Sequence, residues 1–492
     1  METASLEIQG QIRRRQAAPL LVSLMAVVFG MGVLFLLVLD LQKVIPIVIV
    51  FGLFTIVLAT ILTPEIGSER WRQFGKPIFY GLLFVNVPLN VLAPFFTFSV
   101  GGLSGFWLRI VLDSCLLSTA LFLVFKRQAH EQDRPAVKAY LMFLSWVVLV
   151  AAFHSQISTA VPAVLRIGAP FGYYMLAVAC LRTPEDGKRS INAVLASTLL
   201  VIPVCIYQLI SGNGLFEAED YARLTGPYAF IQSPPVFSLY LLVMLFLAYS
   251  LFSDSAHHIK KRSAGWILIA ILTVFLLLTE TRAAWATLGL GCVAISSFRK
   301  RLKRAALLTL IPVLLILVVP TFQTRISEVG SEYFDISYRS VMAGSLGLRV
   351  ATYTLMAPGI TESPIWGHGF GSFAALFEDL YDVPKLAPHN DFLYLAFESG
   401  LVGLALYVWY LWKLAALPRL CAHGSSTGSR VAQAALISLV VVDFVLFFHN
   451  SIFATDIQGY ILALLGISSA YLRMENAESA RMLVNLKIGK AL

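Results

Sequence analysis

Charge is what this chain is short of. Only 13% of its 492 residues are Asp, Glu, Lys or Arg, about half the share of a soluble domain, while 58% are hydrophobic and the mean hydropathy is +0.78. That balance excludes a soluble globular protein. Cysteine is scarce as well: the five, at positions 115, 180, 205, 292 and 421, include no CxxC pair, which argues against a disulfide scaffold and against zinc. No His/Asp/Glu cluster has metal-ligand spacing at the end of the spans where chemistry is expected, so neither metal nor other cofactor is expected. The basic clusters are short, scattered and lack interleaved aromatics, so the net charge of +9 does not describe a nucleic-acid surface.

What fills the chain instead is apolar runs of roughly 16–21 residues, each long enough for a membrane helix. They predict an all-α polytopic membrane protein of about 12–14 transmembrane helices. The expected organisation is a cytoplasmic tail at 1–18, eleven spans within 19–321, a long outer (periplasmic) segment at 322–388, three spans within 389–472, and a cytoplasmic tail at 473–492. The first span follows Arg13, Arg14 and Arg15 but lacks a small-residue cleavage site, and so reads as a retained anchor. On this topology 28 of the 37 basic residues fall in alternate loops on one side, which puts both termini in the cytoplasm.

The other nine basic residues are Lys43, Arg109, Arg166, Arg223, Arg282, Arg325, Arg339, Arg349 and Lys385. Seven are arginine, whose planar fork of donors suits phosphate or carboxylate. Arg282 ends Thr279-Glu280-Thr281-Arg282, the whole connection between two spans, and so sits nearly in the membrane. Arg223 lies in an outer loop, near Glu217, Glu219 and Asp220 as ordinary ion-pair partners. Arg349 precedes a stretch plausible as an amphipathic helix at the interface. The triplet Gly367-His368-Gly369-Phe370-Gly371 lacks the Lys-Ser/Thr of a phosphate loop and reads as a tight turn.

At the start of the next span, His389 occupies the place of a helix cap, where a titratable imidazole meets the lipid boundary. The positive end of that helix favours the neutral imidazole, able to accept a proton. Asn390, Tyr394 and Glu398 recur every four residues and share a helix face, and Gly400 and Gly403 allow another helix to approach just beyond. His449-Asn450 repeats the His-Asn pair at another outer span end and makes His449 a secondary candidate. Asp113, His154 and Asp443 are further intramembrane polar residues that lack an evident partner in sequence.

In combination these residues resemble the bacterial O-antigen ligase and polysaccharide polymerase superfamily. The likeness runs from about 223 to 410: Arg223-Leu224-Thr225-Gly226 before a span, the Thr279–Arg282 connection, Arg349 upstream of Trp366-Gly367-His368-Gly369-Phe370-Gly371, and His389-Asn390 followed by Tyr394, Glu398, Gly400 and Gly403. Thr281 stands where these proteins usually carry serine, and Ser233-Pro234-Pro235 replaces an Asn-Pro-Asn-like stretch. The resemblance implies a fold similar to GT-C-type membrane glycosyltransferases. It also implies transfer of a glycan from an undecaprenyl-pyrophosphate carrier to an acceptor hydroxyl at the periplasmic face.

Under that implication Arg223, Arg282 and Arg349 bind the pyrophosphate, His389 is the general base, and Asn390 and Glu398 support it. Direct displacement inverts the anomeric centre. The expected partners are the lipid-linked donor, a glycan or lipid A-core acceptor, the bilayer, and other polysaccharide-assembly membrane proteins. A polymerase of repeat units is favoured slightly over an O-antigen ligase. Two other classes compete: a transporter of anionic solutes, which would usually show paired broken helices in two related halves, and a receptor or scaffold, which leaves the intramembrane charges unexplained.

Overall fold

A computed structural model describes residues 69–95, 97–100, 103–125, 128–218, 221–231, 233–253, 259–298, 345–381, 390–424, 426–446 and 454–489. The spans expected at 19–39, 44–63 and 305–321 lie outside them. The described residues form helices α1 (Glu69–Val85), α2 (Trp107–Phe125), α3 (Arg134–His154), α4 (Ile157–Gly168), α5 (Phe171–Cys180), α6 (Pro184–Ser211) and α7 (Pro234–Phe252). They continue with α8 (Ile259–Leu278), α9 (Arg282–Phe298), α10 (Ser345–Glu362), α11 (Ser372–Tyr381), α12 (Asp391–Cys421), α13 (Thr427–Leu446) and α14 (Thr455–Gly489). Two antiparallel hairpins, β1 (Thr97–Val100) with β2 (Leu103–Phe106) and β3 (Phe216–Ala218) with β4 (Tyr221–Arg223), are the only sheets among the described residues. Five segments are long and apolar enough to cross a membrane: Arg134–His154, Thr159–Cys180, Pro184–Ser211, Pro234–Phe252 and Asp391–Cys421. The chain is an all-α polytopic membrane protein.

Burial divides the helices into central and peripheral ones. α5 and α7 are apolar on all sides and buried along almost their whole length, as a helix surrounded by other helices must be. α14 packs on α5 and α13, and α13 also packs on α7 and α12, closing a core around them. α6 is peripheral: Leu199, Leu200, Ile206, Tyr207, Leu209 and Ile210 are exposed, the apolar face a helix turns to lipid. Its start is fixed by a capping box, in which Thr183 accepts from the Asp186 N–H at 3.2 Å and Asp186 accepts from the Thr183 N–H at 3.1 Å.

Proline corrects two expected spans. The apolar run at 77–97 is helical only to Val85, and continues as a 3-10 helix over Pro88–Phe95. Pro88 brings no N–H for the next helical bond and its ring crowds the preceding turn. The run at 163–181 begins earlier, at Ile157, and bends between α4 and α5 at Ala169-Pro170 for the same reason.

Candidate functional site

The turn joining α8 and α9 holds its three residues Thr279, Glu280 and Thr281 buried, and Glu280 adopts φ +48° so that two apolar helices can reverse within it. Arg223, at the end of β4, packs on this turn. Its Nε donates to the Thr279 carbonyl at 3.0 Å and its Nη2 to Thr281 Oγ1 at 3.2 Å, while the next residue's N–H, that of Leu224, donates to the Leu278 carbonyl at 2.9 Å. Residues far apart in sequence are thereby joined: Arg223 lies against the turn whose last neighbour, the half-buried Arg282, opens α9. Thr281 keeps the hydroxyl that the Arg223 contact uses, as a serine would.

At the start of α12 the cap is Asn390, a correction to the expectation for His389. Asn390 is extended and buried, and its Oδ1 accepts from the N–H groups of Phe392 at 3.1 Å and Leu393 at 3.0 Å. An amide oxygen meets two of the orphan donors of a helix start, the role for which asparagine is favoured. His389 and His449 lie outside the described residues. Arg349 lies on α10, and its side chain also lies outside them.

Glu398 is fully buried, and its surroundings are backbone. Within α12, Gly400 has φ +74° and ψ 174°, which breaks the helix and frees the carbonyls just before it. The Gly367–Gly371 turn meets them: His368 N–H donates to Phe397 O at 2.9 Å and Gly369 N–H to Glu398 O at 2.9 Å. Leu401 N–H donates to Pro364 O at 2.7 Å, and Trp146 Nε1 to Ser399 O at 2.8 Å. The Glu398 carboxylate accepts from Gly371 N–H at 2.8 Å, with the Tyr394 hydroxyl and the Phe373 N–H also directed at it. Phe373 is in the first turn of α11, so the positive end of that helix faces the carboxylate.

Gly367, Gly369 and Gly371 all have positive φ, which brings successive N–H groups to one side. The turn is also held from α3 and α4: Phe370 N–H donates to Ser155 Oγ at 2.7 Å, and a Cβ on Gly371 would run into Thr159. A close approach at Gly400 was expected of a helix. It is made instead by the backbone of Ile365 and Trp366.

A third cluster reaches the segment after Arg223 through Tyr228, and sequence reasoning missed most of it. Arg109 Nε pairs with Asp113 Oδ1 at 3.1 Å, one turn along α2, and donates to Thr455 Oγ1 at 2.8 Å, while its Nη1 donates to Asn86 Oδ1 at 3.0 Å. Asn86 Nδ2 donates to the Asp456 carbonyl at 2.7 Å, and Asn90 Nδ2 to Asp456 Oδ2 at 2.6 Å. Tyr228, on the 3-10 helix that follows Arg223, donates to the same Oδ2 at 2.5 Å, and Tyr173 donates to Asn86 Oδ1 at 2.8 Å. Asp113 therefore has its partner four residues upstream, a spacing visible in sequence. Asp456 and Asn86 had no such signal.

Described by itself, this is a multi-pass membrane protein carrying a built polar site among its helix ends, with an arginine-bearing turn and a broken helix tied into one bundle. Residues 267–408 match the family model described as O-antigen ligase, so this part of the chain is similar to the O-antigen ligase and polysaccharide polymerase superfamily. No curated relative matches the chain.

Proposed function

We propose that the protein is an inner-membrane glycosyltransferase of surface polysaccharide assembly. It moves a glycan from an undecaprenyl-pyrophosphate carrier to an acceptor sugar hydroxyl, with inversion and without metal, at the periplasmic face; both termini are cytoplasmic. The observation that carries the reading is the docking of Arg223 on the Thr279–Thr281 turn beside Arg282. As the bond to pyrophosphate breaks, negative charge grows on the leaving phosphate, and a pre-positioned pair of guanidinium groups stabilises that state more than the ground state. Arg349 completes the anion site from α10.

His389 takes the proton of the attacking hydroxyl. Asn390 supports it by fixing the start of α12 next to it, and Glu398 by clamping the glycine turn onto the same helix. His449 is a secondary base candidate. The expected partners are the lipid-linked donor, a glycan or lipid A-core acceptor, the bilayer, and other polysaccharide-assembly membrane proteins. Extension of carrier-linked repeat units is the acceptor choice supported by the many apolar runs. Transfer to lipid A-core is the second reading, favoured by the description of the matching family model.

Purified protein in liposomes with carrier-linked repeat unit separates the two. Lengthening of carrier-linked chains supports the polymerase, product only on addition of lipid A-core supports the ligase, and no transfer under either condition contradicts the function.

A further inference from the structure

Gln208 is the polar exception near the end of α6. Ile206, Tyr207, Leu209 and Ile210 beside it are exposed and apolar, whereas Gln208 is 2% exposed and turned into the protein. A buried amide on a membrane-crossing helix is costly unless its donors and its acceptor are met. Here they are met by one dipeptide. Gln208 Nε2 donates to Gly226 O at 2.8 Å and to Thr225 Oγ1 at 3.2 Å, and Oε1 accepts from Gly226 N–H at 2.8 Å. The side chain therefore pairs with both backbone groups of Gly226, as a neighbouring strand would, using both of its donors and its carbonyl.

The same segment is held from other sides. Gly226 has φ +53°, and the Phe237 ring fills the space a Cβ would need. The Thr225 hydroxyl donates to the carbonyl of Gly214, in the turn after α6, and a Cβ on Gly214 would lie 3.1 Å from Gln208 Nε2. Tyr228 then fastens the far end to Asp456 Oδ2 at 2.5 Å. Immediately before this clamp come Arg223 and Leu224, the two residues bonded to the turn between α8 and α9. Arg223 is only half-buried, so where its guanidinium stands depends on how firmly the backbone behind it is fixed.

We propose that Gln208 is a positioning residue for the anion site: by clamping Gly226, with Tyr228 securing the far end, it sets where Arg223 stands relative to Arg282. The inference rests on the transferase reading, in which these arginines meet the leaving pyrophosphate. Their stabilisation grows as the bond breaks, so misplacing Arg223 shows in kcat more than in KM.

The test is a double-mutant cycle on the purified full chain in liposomes with carrier-linked repeat unit, with lipid A-core added, at equal folded concentration. Gln208→Met keeps the side-chain length and removes the amide. Its kcat is expected to fall about tenfold with KM changed by less than about twofold, the scale of a slightly misplaced group. In an Arg223→Ala background the same change is expected to cost less than about twofold more, because the residue it acts through is gone. Tyr228→Phe keeps the ring, removes only the bond to Asp456, and is expected to behave in the same way; it decides the matter if melting curves show Gln208→Met unfolded. An unchanged kcat, a rise in KM alone, or a double-variant loss equal to the product of the single losses overturns the inference and leaves the transferase reading standing. No transfer by the wild type removes the transferase reading itself, and the inference with it.

Discussion

Gly400→Ala tests whether the break in α12 is built for the glycine turn. Its φ of +74° and ψ of 174° fall in a region that is essentially glycine's alone, where a side chain costs on the order of 1–3 kcal/mol. An added Cβ would also collide with the Ile365 carbonyl and the Trp366 nitrogen, which are backbone atoms and cannot rotate away. Relief requires residues 364–371 to move off α12. That motion breaks the bonds from His368, Gly369 and Leu401 N–H and the one from Gly371 N–H to Glu398, each worth about 1 kcal/mol net. We expect a local loss of about 3 kcal/mol. Exchange of the amide protons of Gly369, Gly371 and Leu401 then accelerates by about two orders of magnitude, since each 1.4 kcal/mol is roughly tenfold.

Gly212→Ala is the control. Gly212 also has positive φ, +72°, but a Cβ there meets nothing within 4 Å, so it carries only the backbone cost of about 1 kcal/mol. Hydrogen exchange by mass spectrometry in detergent reads both variants. Equal behaviour of Gly400→Ala and Gly212→Ala, with protection at 369, 371 and 401 unchanged, would refute the proposed docking.

Other perturbations follow the same contacts. Arg109→Ala removes the ion-pair partner of the buried Asp113 and is expected to destabilise by about 3–5 kcal/mol, with Arg109→Ala/Asp113→Ala less damaging than the single change; melting curves decide. Asn390→Ala removes the α12 cap at about 1 kcal/mol, and Asn390→Asp retains it, so only the first should increase fraying of α12 in exchange experiments. Glu398→Gln keeps an oxygen for Gly371 N–H and should remain folded, whereas Glu398→Ala orphans buried donors and should lose about 1–3 kcal/mol, read by the same melting curves.

Which parts of this were legible in sequence depended on range. The connection at Thr279–Arg282, the glycine turn and most apolar runs among the described residues are local patterns that became the expected elements, the runs at 77–97 and 163–181 being broken at proline. Two local signals were available but misassigned. Asn390 is the better cap residue of the His389-Asn390 pair, and Arg109 stands one helical turn before Asp113. The docking of the glycine turn on α12 left little side-chain pattern to read, because apart from the Gly371–Glu398 bond it runs between backbone groups. The contacts from Asp456 to Asn86, Asn90 and Tyr228 join segments hundreds of residues apart, and no periodicity links them.

The account turns on the anion site at the Thr279–Arg282 turn serving a group transfer. Its most direct test is the rate of pyrophosphate-carrier release coupled to glycan joining, measured on purified wild type, Arg223→Ala, Arg282→Ala and His389→Ala at equal folded concentration. Each variant is expected to fall by about 100-fold or more, the loss typical of removing a transition-state donor or a general base. Coupled release at wild-type rates in Arg223→Ala and Arg282→Ala would contradict it.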